Sequence, residues 1–156
     1  MKIGLISDTH TKIGKTKKAL DMLLENGAEF IIHAGDIETE ELYNKLNSIA
    51  PTHAVKGNVD WEPWAKKLPY NDLVEIAGKY FYITHILDNI DLDPSSARID
   101  AVIYGHTHKP EIFEKGPVLY MNPGSSGPRR YPKPVSAGKI IVDNNGLRPE
   151  IIYIER

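Results

Sequence analysis

Residues 101–108 read Ala-Val-Ile-Tyr-Gly-His-Thr-His, an apolar run that stops on a glycine and then offers two histidines. Residues 101–104 have the length and composition of a buried strand. His106 and His108 stand two apart in the turn that follows. Neutral imidazole is the commonest nitrogen ligand for divalent transition ions, so the pair reads as half of a metal site. A pH-sensitive surface turn is the ordinary alternative, and the rest of the chain bears on the choice.

The same arrangement recurs four more times. Residues 3–6 lead into Asp8 and His10, residues 30–33 into Gly35-Asp36, residues 52–56 into Gly57-Asn58, and residues 80–84 into His85. In extended chain, residues i and i+2 project to one side, so Asp8 and His10 can grip the same ion. A glycine before Asp36, Asn58 and His106 permits a sharp turn and close backbone approach. Taken singly, Asp36 also reads as a helix cap, Gly-Asn as a common turn and His85 as a structural histidine. Taken together, all five motifs end predicted strands, the edge at which open α/β sheets bind ligands. They supply two carboxylates, one amide and four imidazoles. That set suffices for two adjacent divalent ions sharing one bridging carboxylate, which points to hydrolysis of a phosphate ester.

Around these motifs the chain alternates strand and helix early and turns to strands late. Helices are expected over residues 15–26 and 38–48, where leucines recur at spacings of three and four. Residues 73–76 and 80–84 flank Ala77-Gly78-Lys79 as a hairpin, residues 118–121 form another strand, and residues 139–142 and 149–154 flank the hairpin signal Asn145-Gly146. Early βα units and late hairpins predict two sheets packed face to face with helices outside, in one domain over residues 1–156. A length of 156 residues with 41% hydrophobic and 26% charged residues supports such a core. The net charge of -2 does not indicate attraction to nucleic acid or an anionic membrane. The chain has no cysteine, so thiolate ligands and disulfides are excluded. No basic-then-apolar leader opens it, and no apolar stretch approaches the roughly 18 residues of a membrane helix. The expectation is a soluble, cytoplasmic protein.

The order Asp-x-His, Gly-Asp, Gly-Asn, His, Gly-His-x-His resembles the calcineurin-like metallophosphoesterases, and the small single-domain YfcE-type branch in particular. Asn122-Pro123-Gly124-Ser125 is similar to a segment of that branch. The resemblance spans nearly the whole chain. It implies an α/β fold, a four-layer αββα sandwich of two mixed β-sheets flanked by helices, with the site at one end of both sheets. It also implies a first ion held by Asp8, His10, Asp36 and His108, and a second held by Asp36, Asn58, His85 and His106, with Asp36 bridging. Asn58, Asp60 and His85 are the candidates for direct catalytic roles. Two divalent ions would acidify a shared water and clamp phosphate oxygens, so that a bridging hydroxide attacks phosphorus in line. Manganese or nickel is the expected metal, iron or zinc the alternative, and magnesium the least natural for imidazole-rich ligation.

Two departures from the family pattern stand out. Many relatives read Gly-Asn-His where this chain reads Gly57-Asn58-Val59-Asp60, and valine cannot donate a proton. Loss of a general acid worth about 10²–10⁴-fold penalises poor leaving groups, although Asp60 acting through a water would compensate. Ile86 stands where relatives often carry glycine, and is expected to shift His85 or narrow the pocket. Arg129 and Arg130 are candidate substrate contacts, since arginine suits bidentate phosphate binding; a solvated loop is the alternative. Trp61, Trp64 and Tyr70 would stack on a nucleoside or aryl group, or else cover the core or an interface. His53 reads as structural. The leading function is hydrolysis of a small-molecule phosphodiester or phosphomonoester. A protein-binding scaffold with a vestigial site and a nuclease are the competing classes. No membrane partner is expected, and a homo-oligomer is left open.

Overall fold

Four of the five residues of β1 (Lys2–Ile6) are buried, and the strand lies at the centre of the first sheet. Parallel pairing adds β2 (Phe30–His33) and β3 (Thr52–Ala54) on one side. Antiparallel pairing adds β9 (Val135–Asp143) and β10 (Gly146–Glu155) on the other. The second sheet runs in the order β4 (Asn71–Ile76), β5 (Lys79–Thr84), β6 (Ala101–Ile103), β8 (Val118–Asn122) and β7 (Glu111–Lys115). This computed structural model describes residues 1–155.

The two sheets meet through alternate side chains. Ile3, Leu5, Ile32 and Ala34 of the first pack on Phe81, Ile83, Ile103 and Met121 of the second, all fully buried. On the opposite face of the first sheet, Ile6 and Ile31 pack on Leu20 and Leu23 of α1 (Ile13–Glu25) and on Leu42 and Leu46 of α2 (Glu40–Ile49). The outer face of the second sheet carries Tyr82, Val102, Tyr104 and Tyr120. Ile99, Leu87 and Ile90, from a short 3-10 turn and the coil after it, cover that face. Both sheets are mixed and helices flank the first, as expected. The layer over the second sheet is thin, with no α-helix among the described residues.

Several boundaries differ from the sequence reading for local reasons. α2 begins at Glu40, two residues late, because Thr39 caps it: Thr39 Oγ1 accepts from Leu42 N–H at 3.3 Å. β7 carries no strand signal because four of its five residues are exposed along a sheet edge. β9 and β10 run longer than the apolar segments that announce them, closing on the Asn145-Gly146 turn with Gly146 at φ 109°. No helix among the described residues is long and apolar enough to cross a membrane.

Ile103→Ala empties volume between the two sheets and should lower unfolding stability by about 2–5 kcal/mol in urea titrations. Leu24→Ala, on the open side of α1, should change it by about 0.5 kcal/mol or less.

Candidate metal centre

The chain leaves β1, β2, β3, β5 and β6 at the same end of the two sheets, and each exit carries a predicted ligand. Turning there requires unusual backbone. Asp8, His10, Asp36, His106 and His108 have φ of 51°, 49°, 59°, 69° and 57°. The left-handed region costs a residue with a Cβ about 1–2 kcal/mol. Cross-strand hydrogen bonds hold two of these turns: Asp8 N–H donates to Gly35 carbonyl at 3.0 Å, and His10 N–H to Asp36 carbonyl at 3.0 Å. Close approach explains two of the preceding glycines. A Cβ on Gly57 would collide with the backbone and carboxylate of Asp36, and one on Gly105 with Ser7 Oγ and Asp8 Oδ2.

All seven predicted ligands converge. His108 Nε2 lies 3.3 Å from Asp8 Oδ1 and 3.4 Å from His10 Nε2. Across the cleft, His85 Nε2 lies 3.2 Å from Asp36 Oδ2 and 3.0 Å from Asn58 Oδ1, and Asn58 Oδ1 lies 3.0 Å from His106 Nδ1. Asp36 Oδ2 is also 4.0 Å from His10 Nε2, and Asp8 Oδ1 is 4.0 Å from His85 Nε2. Both carboxylates therefore stand between the two halves. Ligand atoms of Asp8, His10 and His108 lie within 4.8 Å of one another, as do those of Asp8, Asp36 and His85.

The chemistry of these atoms fits cations. His85 Nδ1–H donates to Ala34 carbonyl at 2.7 Å, which aims Nε2 at Asp36 Oδ2 and Asn58 Oδ1, where a proton shared with Asp36 occupies the position a cation would take. His10 Nδ1–H likewise faces Glu38 Oε1 at 3.1 Å, turning its Nε2 to the centre. Asp8 Oδ1 and His108 Nδ1 are buried without a hydrogen-bond partner. A cluster of oxygens and imidazole nitrogens in this state is the donor set of a borderline divalent ion.

Supporting residues fix these orientations, and most carry no signal in the sequence. Glu38 itself sits at φ 67°, with its N–H donating to Asp60 Oδ1 at 2.7 Å. Asp60 also accepts from Ile37 N–H at 2.9 Å and from Gly57 N–H at 2.8 Å. The carboxylate of Asp60, expected to act in catalysis, thus accepts from three backbone N–H groups. Its carboxylate is 2% exposed and is occupied in tying the Asp36 turn to the Asn58 turn. Asn122, fully buried, donates to Gly105 carbonyl at 2.8 Å and to Thr107 Oγ1 at 3.1 Å, holding the two-histidine turn. His33 reads in the sequence only as the last residue of a strand. Its Nδ1 accepts from Gly35 N–H at 3.1 Å, and its Nε2–H faces Thr9 Oγ1 at 2.9 Å. That arrangement needs the neutral ring.

Burial and neighbours separate the titrations. Burial pushes Asp8 up to about 6 against the pull of His85 and Ser7. Burial also works to raise Asp36, but the hydrogen bond and charge of His85, Val59 N–H and His10 together hold it below the usual carboxylate range. Burial, then Arg130, His10 and Lys133, push His108 down to about 4. His85 goes the other way: burial lowers it, and Asp36, Asp8 and the Ala34 carbonyl more than offset that.

The ligands open into a cleft of about 420 Å³ walled by Val59, Thr107, Arg130 and Lys133. Of the two candidate arginines, Arg130 reaches this cleft, while Arg129 lies over the exposed ring of Tyr131 at 5.9 Å. Lys133, which no sequence motif marks, lines it too and donates to Thr107 carbonyl at 2.7 Å. Ile86 lines a second recess behind His85. Trp64 stacks on Tyr43 of α2, whereas Trp61 is 79% exposed. His53 pairs with Asp72 at 2.9 Å, away from the centre.

A family model for the calcineurin-like phosphoesterase superfamily domain matches residues 1–145. The chain is 33% identical to a phosphodiesterase of Methanocaldococcus jannaschii, MJ0936, over 80% of this chain and 83% of that one. Its fold is similar to a structure of an archaeal phosphodiesterase, with TM-score 0.81 and 29% identity over 97% of this chain and all of that one. It is also similar to the structure of YfcE, a phosphoesterase of E. coli, with TM-score 0.73 and 26% identity over 92% and 89% of the two chains.

His33 gives a pH prediction. Burial pushes its folded value down to about 3 from an ordinary 6.5. Below pH 6.5 the unfolded chain binds a proton that the folded chain refuses, so this group's stability contribution is full above 6.5 and falls toward 3. The slope is about 1.4 kcal/mol per pH unit. With chelator present, His33→Asn should be less stable at pH 7 yet lose about 2 kcal/mol less than the parent between pH 7 and 5.

Proposed function

The chain belongs to the calcineurin-like phosphoesterase superfamily, and from that premise we propose that it cleaves small-molecule phosphodiesters with two divalent ions held in the cleft. As a metal-dependent phosphoric ester hydrolase it needs only positioning and charge stabilisation from its residues. The observation that carries the reading is the meeting of Asp8, His10, Asp36, Asn58, His85, His106 and His108 from both sheets around one opening. Asp8, His10, Asp36 and His108 form one ligand set, and Asp36, Asn58, His85 and His106 the other. Asp36 would be shared between the two sets: its Oδ1 is oriented by Val59 N–H at 3.1 Å, and its Oδ2 faces imidazoles of both. Imidazole-rich ligation favours manganese or nickel over magnesium.

When bound, ions in such a site acidify water and neutralise charge on phosphate. The protein contributes the rest. Glu38 and the Ala34 carbonyl hold His10 and His85 with their Nε2 atoms inward. Arg130 and Lys133 place positive charge on the cleft wall against the non-bridging oxygens. Val59 also lines the cleft and supplies no proton to the departing oxygen. Esters with stable leaving groups are therefore favoured, and phosphodiesters need less charge neutralisation than monoesters.

Metal-stripped protein should hydrolyse an aryl phosphodiester only after Mn²⁺ or Ni²⁺ is restored, and calorimetric titration should show about two ions bound per chain. Asp36→Asn and His106→Ala should each lower kcat/KM by at least about 100-fold. A protein that folds, binds no metal and cleaves neither ester would overturn the assignment.

Val59→His should raise turnover of an alkyl-leaving-group diester by roughly 10²-fold or more, with little change for a nitrophenyl ester. An equal effect on both esters would show that proton donation is not what the valine withholds.

A further inference from the structure

We propose that the recess behind Asn58 and His85 is a subsite for one arm of the diester, and that the arm it takes is a nucleoside or a similar planar heteroaromatic group. The inference rests on the phosphodiesterase reading and adds the substrate class.

The recess measures about 210 Å³ and shares Asn58 with the metal cleft, and its His85 lies 3.2 Å from Asp36 Oδ2, so an ester bound across Asn58 reaches both. Its walls include Tyr70 and Ile86. Tyr70 is 70% exposed, so its ring is open to a planar partner, and aromatic rings of this kind stack on bases. The Lys56 ammonium lies 5.0 Å from the Tyr70 ring centroid and has no ion-pair partner among the described residues. It steadies the ring and faces electron-rich groups. Asn71 and Asn89 bring two carboxamides to the same recess, and neither makes a side-chain hydrogen bond among the described residues. A carboxamide offers two N–H donors and a carbonyl acceptor, which matches a ring edge carrying both kinds of group. No acidic side chain lines the recess to repel ring carbonyls or nitrogens. An aliphatic arm would use the apolar wall and leave the amides idle.

The walls are set before any ligand arrives. Lys56 N–H donates to Pro69 carbonyl at 2.8 Å, joining the Asn58 loop to the segment that carries Tyr70. Asn71 is the first residue of β4 and pairs with Thr84, one residue before His85. Preorganised walls lose little binding energy to ordering.

Calorimetric titration of the full chain with Mn²⁺ tests this, with adenosine 5′-phosphate and methyl phosphate as probes. Adenosine 5′-phosphate should bind at least about tenfold tighter, and Tyr70→Ala and Asn89→Ala should each reduce that ratio several-fold. Both side chains are exposed, and melting curves would confirm that the variants fold. Equal affinity of the two probes, or a preference that survives both substitutions, would overturn the subsite. Hydrolysis of an aryl diester by the same samples reports separately on the function. An active enzyme with no nucleotide preference overturns the subsite alone. A protein that binds the nucleotide through Tyr70 yet cleaves no ester leaves the subsite standing and overturns the phosphodiesterase reading.

Discussion

Left-handed backbone at the ends of the strands is the constraint on which this structure turns. Five of the seven candidate ligands sit there, and none of the five is glycine. At about 1–2 kcal/mol each, such residues persist only where surrounding contacts over-determine them. Those contacts are backbone hydrogen bonds between neighbouring strand exits, the Asp60 carboxylate that takes N–H groups from two loops, and the Asn122 amide beneath the two-histidine turn. The sheets provide five rigid exits, and the strained turns convert them into one inward-facing ring of ligands.

Electrostatics follows from the same crowding. Two carboxylates lie among four imidazoles, with Asp8 fully buried and Asp36 nearly so. Burial alone would raise both acids, yet only Asp8 is raised, because Asp36 takes the hydrogen bond of His85 and the N–H of Val59. Arg130 and Lys133 help keep His108 neutral from outside the ring, and so favour a free lone pair. The His33–Thr9 pair lies beneath it. It satisfies every polar atom of a buried ring without using a charge, which is the least costly solution in a low-dielectric layer.

The division of labour between the sheets also explains where specificity can vary. The first sheet supplies Asp8, His10, Asp36 and Asn58 and is anchored by both α-helices. The second supplies His85, His106 and His108, and its outer face is covered by a 3-10 turn and coil. The turn and coil begin next to His85, so Ile86 and Asn89 reach the recess that Tyr70 and Asn71 close from the β4 side. The candidate metal centre and the recess thus meet at His85, just past the end of β5, with the β4 side closing the recess.

Most of the ring is legible in the order of residues alone. Glycine beside a ligand at the end of an apolar run is a local signature, because sharp turning and close backbone approach are decided by neighbouring residues. The βα order and the Asn145-Gly146 hairpin are local in the same way. The short edge strand β7, with its exposed side chains, leaves no apolar period to read. Asp60 beside Val59 looks like a substitute acid, and His33 like a strand end. Their roles depend on partners at Ile37, Glu38 and Thr9, more than twenty positions away. The separation of Arg130 from Arg129, and the meeting of Lys56, Tyr70 and Asn89 in one recess, likewise exist only once the sheets pack. Residue type and spacing decided which groups could bind a metal. Packing of two sheets decided which of their atoms face one another, because that depends on contacts such as those of His10 with His108 and of His106 with Asp8, each 98 positions apart.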